Sequence, residues 1–534
     1  MSVPDEMEGE NPWIWVVGEN TKKNETGLIG TLTKALYMDV VNLSPEGRSA
    51  GPDGAPNDIL KRMPKNFHDV LYEIFLLAWK TGHTPAGWKK SVMMLLFKKG
   101  EPTYLKNWRP IALANCIYKL WTAVVTRMVS DDSEERGVFH GAQEGFRRKK
   151  STMRQLSQML LAVEDAHLTK QELHVMYIDF ENAFGSPDHG RMREVLEYLG
   201  YSQDGVRIVS DLYPGEGDDP MQVTIRTDHG ETEEFPVRRG TIQGDTLSPL
   251  LFIIYLEPML RWLNQGGLGY RMGTSGMRIS SPAFADDLAL LAMGVPGMSV
   301  QLDKVLRYAK WAGLKLNLPK CAISGINTRG GTGEEIYRNI RVNGKRVPFL
   351  SPSKPYKYLG VWLRLDLRWK EQFEKVLTVC KAKLGRIQRC PASDVQAMIM
   401  VAEVVAPVIA YSCPLGIYDK YMRGKFAGLM LAGAKEACGV PSSADGAWGL
   451  LDRDDGGMGA VDMHEVAERG VAIRLLENLT DQGMLGVMAR GMMVALTDRT
   501  KFAASKRTGG VRYHQILQLA NLAGDGFSLG GLLD

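Results

Sequence analysis

Two adjacent acidic residues stand inside an otherwise apolar stretch, in the sequence Phe284-Ala285-Asp286-Asp287. The apolar runs on either side, over residues 283–292, predict a tight β-hairpin with the acids at its turn. Neighbouring carboxylates repel each other and lose hydration in such a setting, so a bound cation would stabilise them. Mg²⁺ suits them because it is a hard ion that prefers oxygen ligands. An exposed Asp-Asp turn without a ligand is the alternative that this segment leaves open.

A third carboxylate, Asp179, ends the apolar stretch 174–179, which predicts a strand. If this strand pairs with the hairpin, Asp179, Asp286 and Asp287 come together. Three such carboxylates can hold two metal ions, which is the arrangement that drives in-line phosphoryl transfer. Spacing along the chain does not by itself establish the pairing.

A glycine-containing loop, residues 239–249, lies between the two acidic segments. Gly240 and Gly244 permit close approach of the backbone, and Gln243 offers both a donor and an acceptor. Ser248 is expected to cap the following helix, with Pro249 at its first position. Contact with a nucleotide is one interpretation of the loop, and a plain strand-to-helix connection is the other.

Together these segments resemble the reverse transcriptases of non-LTR (LINE-type) retrotransposons. The resemblance covers roughly residues 46–365 and depends on ordered blocks. They are Ala50-Gly-Pro-Asp-Gly54, Asn107-Trp-Arg-Pro-Ile111, Gln143-Glu-Gly-Phe146, Tyr177-Ile-Asp-Phe-Glu-Asn-Ala-Phe184, Gln243-Gly-Asp-Thr-Leu-Ser-Pro-Leu-Leu-Phe252, Phe284-Ala-Asp-Asp287, Leu316-Asn-Leu-Pro-Lys-Cys321 and Tyr358-Leu-Gly360.

The resemblance implies an α+β fold, a right-hand polymerase with fingers, an antiparallel-sheet palm and a helical thumb. It implies an RNA-directed DNA polymerase, a nucleotidyltransferase that extends a primer 3′-hydroxyl with deoxynucleotides. Asp179, Asp286 and Asp287 match the metal-binding triad, with Mg²⁺ as the cofactor and Mn²⁺ as the alternative. The implied partners are an RNA template, a DNA primer and deoxynucleoside triphosphates.

Further site residues follow from the resemblance. Phe184 matches a steric gate against the ribose 2′-hydroxyl, or is ordinary core packing. Lys320 matches a lysine that protonates the departing pyrophosphate, or is a solvent-exposed lysine. The remaining matches are Arg109 with Lys98 or Lys99 for the triphosphate, Gln243 and Gly244 for the nucleotide, and Tyr358, Leu359 and Gly360 for the hairpin that supports the primer end.

The chain departs from the family pattern at three positions near these residues. Gly185 stands where many relatives carry Asp, and Ile242 and Thr246 stand where Arg and Pro are frequent. None of these changes removes a metal ligand. They put fidelity, template affinity or rate in question rather than the type of reaction.

The pattern of breakers and apolar runs predicts the elements that position these residues. We expect helices over 67–79, 111–129, 151–166, 191–199 and 300–312, and another that begins at 249. We expect strands over 92–97, 174–179, 221–227, 233–237, 314–323 and 356–362. After residue 366 we expect helices almost throughout. The predicted domains are an N-terminal extension (1–45), fingers (46–170), palm with interleaved finger segments (171–365), helical thumb (366–480) and a C-terminal helical segment (481–534).

Composition narrows the class of protein. With 534 residues, 44% of them hydrophobic and 24% charged, the chain is neither a single small module nor a disordered protein. The net charge of +4 permits a local nucleic-acid surface. The six cysteines lack zinc-site spacing and predict buried free thiols in a reducing compartment.

The acidic start of the chain lacks the features of a signal or transit peptide. Leu247 to Leu260, taken as the most apolar stretch, falls short of the roughly 20 residues of a membrane span. We therefore expect no membrane partner and an intracellular location, nucleus or cytoplasm, with the nucleus expected for a retroelement enzyme.

Two alternative functions stay open at this stage. One is a catalytically silent nucleic-acid-binding scaffold that keeps the polymerase fold. The other is an intron-encoded reverse transcriptase and maturase that also aids splicing. The sequence shows neither a zinc knuckle nor a second acidic cluster, so a nuclease is expected in trans, or in cis in a part of the element missing here.

Overall fold

The computed structural model describes residues 22–215, 220–451 and 453–503. Of the predicted N-terminal extension (1–45) and C-terminal segment (481–534), residues 1–21 and 504–534 lie outside these ranges. The N-terminal third contains α1 (Lys34–Leu43), α2 (Asn57–Arg62), α3 (Lys65–Thr81), β1 (Lys90–Phe97), β2 (Trp108–Ala114), α4 (Cys116–Glu135) and α5 (Thr152–Thr169).

Most strands lie in the middle of the chain, as the sequence predicts. The elements are β3 (Leu173–Ile178), α6 (His189–Tyr198), α7 (Gln203–Leu212), β4 (Gln222–Thr227), β5 (Gly230–Glu231), β6 (Phe235–Pro236), α8 (Ser248–Asn264), β7 (Tyr270–Arg271), β8 (Arg278–Ile279), β9 (Ala283–Phe284), β10 (Asp287–Ala292), α9 (Val295–Ala312), β11 (Ala322–Ile326), α10 (Gly333–Ile336), β12 (Arg341–Val342), β13 (Lys345–Arg346), β14 (Tyr356–Tyr358) and β15 (Val361–Leu363).

The last part of the described chain is helical. It contains α11 (Lys370–Ile387), α12 (Asp394–Met400), α13 (Ala406–Ala410), α14 (Lys420–Ala437), α15 (Gly446–Leu450), α16 (Met463–Thr480) and α17 (Met484–Ala503). We call these seven helices the helical layer. A π-helical turn, Val401–Val405, joins α12 to α13.

Two sheets organise the rest of the molecule. The outer sheet has the order β2-β1-β4-β5, with β6 also paired to β4, and the central sheet has the order β11-β3-β10-β9. All neighbours in the central sheet are antiparallel, which confirms the predicted α+β fold. The outer sheet differs in one respect, because β1 runs parallel to β4.

The central sheet is buried on both faces. Side chains alternate across a strand, so Met176 and Ile178 enter a first core with α4, α8 and α9, while Val175 and Tyr177 enter a second core. The second core is completed by α5 and by the helical layer. This double cover fixes the orientation of the strands that carry the acidic residues.

The C-terminal helix α17 is part of that second core. Leu485, Met488 and Met492 are fully buried in it, and Arg154 on α5 donates to Asp481, just before α17, over 2.8 Å. The predicted boundary at residue 481 therefore falls between two helices that pack together, α16 and α17. The domain boundaries stay predictions.

Four predicted elements differ from the structure. The helix over 111–129 is wrong at its start, because residues 108–114 pair with β1 as a strand and the helix begins at Cys116. Leu247, not Ser248, is the N-cap of α8, since the Ser248 hydroxyl donates to the carbonyl of Ile242 instead.

The other two differences are interruptions of predicted strands. The run 314–323 contains a 3₁₀ turn, Leu318–Lys320, before β11 begins at Ala322. The run 356–362 is a hairpin in which Leu359 and Gly360 form the turn between β14 and β15. Both have positive φ angles, of 46° and 83°, which a straight strand does not contain.

The free thiols and the apolar helices also refine the sequence interpretation. Cys116, Cys321, Cys380 and Cys413 are buried as predicted, but Cys390 is exposed and Cys438 half-buried.

The helical run Asp394–Leu415 has a mean hydropathy of 1.8 and meets the length and composition of a membrane span, which the sequence scan missed. It joins the second core through buried side chains such as Val405, so a core helix accounts for its composition equally well.

We predict that Leu485→Ala destabilises the fold by about 2–5 kcal/mol, because it leaves a cavity between α17 and α5. Leu485 is 1% exposed, whereas Leu476 on α16 is 52% exposed and provides the matched control Leu476→Ala. Chemical denaturation followed by circular dichroism compares the two variants. Equal midpoints would contradict the packing of α17 described above.

Candidate active site

The pairing of β3 with β10 brings the acidic residues together. Ile178 lies opposite Leu288, so Asp179 and Asp287 follow at the same end of the two strands. Asp286 lies in the turn between β9 and β10. The pairing that the sequence left open is therefore present.

The pKa values of these acids show that they interact. Burial raises the pKa of Asp286 above its usual value, and the neighbouring charge of Asp179 raises it further. Burial, then Asp286 and Asp179, raise the pKa of Asp287 to about 6. Each carboxylate makes ionisation of the next one less favourable, which is the behaviour expected of a cluster that needs a cation.

Two basic side chains, Lys320 and Arg109, act on the acids, and a third, Lys98, interacts with these two. Lys320 Nζ donates to Asp179 Oδ2 over 3.2 Å. Arg109 and Lys320 both favour the ionised form of Asp286. Burial, Arg109 and Lys320 together lower the pKa of Lys98. Both candidate lysines are exposed, and the interactions with Arg109 and Lys320 favour Lys98 as the candidate.

The acids do not yet form a complete metal site. Within the described ranges, no group of three Asp, Glu, His or Cys side chains is arranged to hold a metal ion. The ammonium group of Lys320 supplies the positive charge at Asp179 instead. Oxygen donors with raised pKa values fit a hard divalent cation, which would compete with Lys320 for Asp179.

Phe184 lies beside the acidic sheet with its ring half-buried. The ring stacks on Phe252 with centroids 4.5 Å apart, and Phe146 approaches it edge-on at 6.2 Å. Packing therefore holds the ring on one side while the remainder stays accessible. Both roles considered for Phe184, core packing and a gate, are compatible with this position.

The glycines of the 239–249 loop are required by protein packing. A Cβ atom at Gly244, where φ is +110°, would lie 2.6 Å from the carbonyl oxygen of Ala112 on β2. The backbone carbonyl of Gln243 accepts from the amide of Ala112 over 2.7 Å. The loop is thus fastened to β2, the strand that carries Arg109.

The three departures from the family pattern fit the packing of this chain. A Cβ atom at Gly185 would lie 2.2 Å from the side-chain nitrogen of Asn182. Ile242 is buried in the first core, and Thr246 lies 3.1 Å from the hydroxyl of Thr122. None of them touches the acids.

The Tyr358–Gly360 turn lies next to the central sheet. The ring of Tyr356, two residues before the turn, stacks on Tyr177 of β3 at 3.9 Å. The hydroxyl of Tyr358 accepts from Gln155 on α5 over 3.1 Å. These contacts fix the hairpin relative to Asp179 and to α5.

Sequence reasoning missed two residues that contact this site. Tyr411, from the helical layer, donates to the carbonyl of Leu359 over 2.7 Å, and no sequence signal pointed to it. Gln143 accepts from the amide of Ala285, beside Asp286, over 2.9 Å. The Gln143-Glu-Gly-Phe146 block was a usable signal for Gln143, although its role was not evident.

Two other sequence features serve the fold rather than the site. Asp53, in the Ala50–Gly54 block, accepts from the amide of Cys116 over 2.9 Å at the start of α4. The basic block 147–150 is largely neutralised, with Arg147 paired to Glu134 and Arg148 to Asp131. Lys150 is likewise paired, with Glu144.

Comparison with known proteins agrees with this geometry. A family model described as "Reverse transcriptase (RNA-dependent DNA polymerase)" matches residues 96–363. The chain is 25% identical over 370 residues to a retrovirus-related Pol polyprotein from a type-2 retrotransposable element of Drosophila melanogaster, covering 69% of this chain and 33% of that protein. It is 26% identical over 355 residues to the corresponding polyprotein from a type-1 element of Popillia japonica, covering 66% and 47%.

The chain thus spans between a third and about half of the length of these relatives. Among solved structures, an apo telomerase from Candida tropicalis aligns with a TM-score of 0.34 and 12% identity over 50% of this chain and 57% of that one. The family model spans half of the chain and includes the acids, the basic residues and the β14–β15 hairpin up to Leu363. The chain therefore belongs to the reverse transcriptase family, and its relatives are the polymerases of non-LTR retrotransposons.

Proposed function

We propose that this protein extends a primer 3′-hydroxyl on an RNA template by a mechanism that uses two divalent metal ions. The observation that carries the proposal is the cluster of Asp179, Asp286 and Asp287 at one end of paired strands, with Arg109 and Lys320 acting on it and Lys98 close to both cations. Negative ligands beside a group of cations suit a triphosphate held with metal ions.

The acids are the proposed metal ligands. Bound metal ions would lower the pKa of the primer hydroxyl and stabilise charge on the leaving oxygen. The bond formed joins the primer O3′ to the α-phosphorus, and the bond broken joins that phosphorus to the pyrophosphate oxygen. Asp179 directly follows β3 and Asp286 lies in the hairpin turn, so the two paired strands would fix the metal ligands relative to each other.

The basic residues have separate proposed roles. Arg109 binds triphosphate oxygens through its planar guanidinium, and Lys98 supports it as a point charge. Lys320 now pairs with Asp179, and a cation bound at that acid would free its ammonium group to protonate the departing pyrophosphate. Arg109 lies on β2, Lys98 directly after β1 and Lys320 on the 3₁₀ turn before β11, and the mutual interaction of the three cations supports a shared role at the triphosphate.

The helical layer is the proposed binding surface for the primer–template duplex. Lysines and arginines lie along α11 and just after it, most of them exposed: Lys370, Lys375, Lys381, Lys383, Arg386 and Arg389. Such side chains bind phosphates without reading sequence. Tyr411 links this layer to the Leu359–Gly360 turn, which would support the primer end.

The relatives' Pol polyproteins are longer than this chain, and we propose that target cleavage depends on a nuclease in cis or in trans. We also propose that the enzyme acts on DNA in the nucleus.

A catalytically silent scaffold is the second candidate. The observation in its favour is the ion pair between Lys320 and Asp179, which neutralises one acid without a metal ion. Mg²⁺-dependent nucleotide binding separates the two functions. An active polymerase binds nucleotide more tightly with Mg²⁺, whereas a scaffold that relies on Lys320 shows no such dependence.

Primer extension on an RNA template tests the metal ligands. Asp286→Asn keeps the shape of the side chain but removes its charge, so we expect extension to fall on the order of 10³-fold, equivalent to about 4 kcal/mol of transition-state stabilisation. Asp303→Asn is the matched control, since Asp303 is an exposed acid on α9 paired with Arg307. Equal activity of both variants would contradict the proposed site.

The dependence of the reaction on Mg²⁺ should change with pH. Because the pKa of Asp287 is about 6, this acid takes up a proton as the pH falls through 6, and the raised pKa of Asp286 makes that acid easier to protonate than an ordinary aspartate. Protonated acids bind metal poorly, so the half-saturating Mg²⁺ concentration is expected to rise between pH 7.5 and pH 5.5. Titration of extension rate against Mg²⁺ at each pH measures it, and a constant value would count against ligation by these acids.

Selection against ribonucleotides tests Phe184. Phe184→Ala opens space beside Phe146 and Phe252, so we expect the preference for deoxynucleotides over ribonucleotides to fall roughly 10- to 100-fold. The ratio of kcat/KM for the two nucleotides measures the change, and activity with deoxynucleotides provides the internal control. An unchanged ratio would assign Phe184 to core packing alone.

A further inference from the structure

We propose that Gln143 is a positioning residue that fixes the backbone of the β9–β10 turn and thereby the direction of Asp286. The inference rests on the proposed polymerase function. It concerns the Gln143-Glu-Gly-Phe146 block, which we call the strap and for which the mechanism above has no role.

The side chain of Gln143 bonds the turn directly. It is fully buried, and its Oε1 accepts from the amide of Ala285 over 2.9 Å and from the amide of Gly145 over 2.8 Å. Both partners are N–H donors, so the acceptor atom of the carboxamide must face them. One oxygen therefore joins the strap to the residue that precedes Asp286.

The residue that it holds has an uncommon backbone conformation. Ala285 has a φ of 53°, in the left-handed region that residues with a Cβ rarely adopt. Such a conformation persists when surrounding contacts impose it. The bond from Ala285 to Gln143 is a contact of this kind, and the next residue along the chain is Asp286.

The strap runs alongside the hairpin through backbone contacts as well. The amide of Ala283 donates to Ala142, and the amide of Glu144 donates to Ala283, both over 2.9 Å. A Cβ atom at Gly145 would lie only 2.4 Å from the amide nitrogen of Ala285. Strap and turn are therefore in direct contact, with no space for a side chain at Gly145.

The strap is itself anchored. Glu144 is 1% exposed and accepts from Arg154 over 2.9 Å and from Gln158 over 3.0 Å, both on α5. Phe146 touches both Phe184 and Phe284, with centroids 6.2 and 6.3 Å away. A fixed anchor lets Gln143 transmit the position of α5 to the turn.

The nitrogen of the Gln143 side chain has no comparable role. Nε2 is buried and has no hydrogen-bond partner among the described residues. A glutamate at this position would replace that nitrogen with oxygen and still offer an acceptor to both amides. This difference between the two ends of the carboxamide provides the variants for a test.

Gln301 provides the matched control. It is also a fully buried glutamine bonded to the same hairpin, since its Nε2 donates to the carbonyl of Leu291 over 2.9 Å. That bond lies near the far end of β10, away from the acids. Gln301→Met and Gln143→Met each remove one buried side-chain contact with the hairpin.

The experiment measures steady-state primer extension and primer–template binding by the full chain with saturating Mg²⁺, together with the thermal midpoint. We expect both methionine variants to lower the midpoint. Gln143→Met alone should lower kcat, by 10- to 100-fold, with KM for the deoxynucleotide and duplex affinity changed less than twofold. The kcat of Gln143→Glu should be at least tenfold higher than that of Gln143→Met.

Equal kcat for the two methionine variants, or no recovery in Gln143→Glu, would overturn the positioning role while leaving the polymerase function intact. If Gln143→Met does not fold, the comparison of Gln143→Glu with wild type decides, and a kcat more than tenfold below wild type overturns the inference. No extension by the wild type would instead refute the proposed function.

Discussion

Electrostatic repulsion among Asp179, Asp286 and Asp287 is the constraint on which the rest of this structure depends. Ionised carboxylates at the end of two buried strands oppose folding unless something holds them in place and supplies positive charge. The two cores around the central sheet supply the rigidity. Arg109 and Lys320 supply positive charge, Lys98 lies close to both, and Lys320 contacts an acid directly. The site thus retains a free-energy cost that binding of a cation relieves.

Several features of the fold were predictable because they depend on local patterns. The acidic hairpin, the strand ending at Asp179 and the α5 helix all follow from apolar periodicity and turn residues, and the structure contains each of them. Residues 108–114 were mistaken for helix because their strand character comes from pairing with β1, which is a tertiary contact. Ser248 likewise does not cap α8, because its hydroxyl donates to the carbonyl of Ile242.

The candidate site shows the same division. The acids could be found from sequence, since buried neighbouring carboxylates are chemically unusual. The choice between Lys98 and Lys99 needed the geometry around Arg109. Tyr411 lies 52 residues from Leu359 along the chain, and nothing in its own neighbourhood indicates that contact. The sequence left open whether the loop of Gly240 and Gly244 contacts a nucleotide, and the structure shows that both glycines are needed for contacts within the protein.

The second core has a consequence for how the protein is made. One face of the central sheet is covered by α5, which precedes it in the chain, and by helices as distant as α17. A ribosome adding about 5–20 residues per second needs roughly a quarter of a minute to a minute to proceed from β3 to α17. During that time the side chains of Val175, Tyr177 and Leu291 lack most of their cover. The nascent polypeptide therefore exposes an apolar strand surface for which chaperones have affinity, and the second core is complete only after α17 has been synthesised.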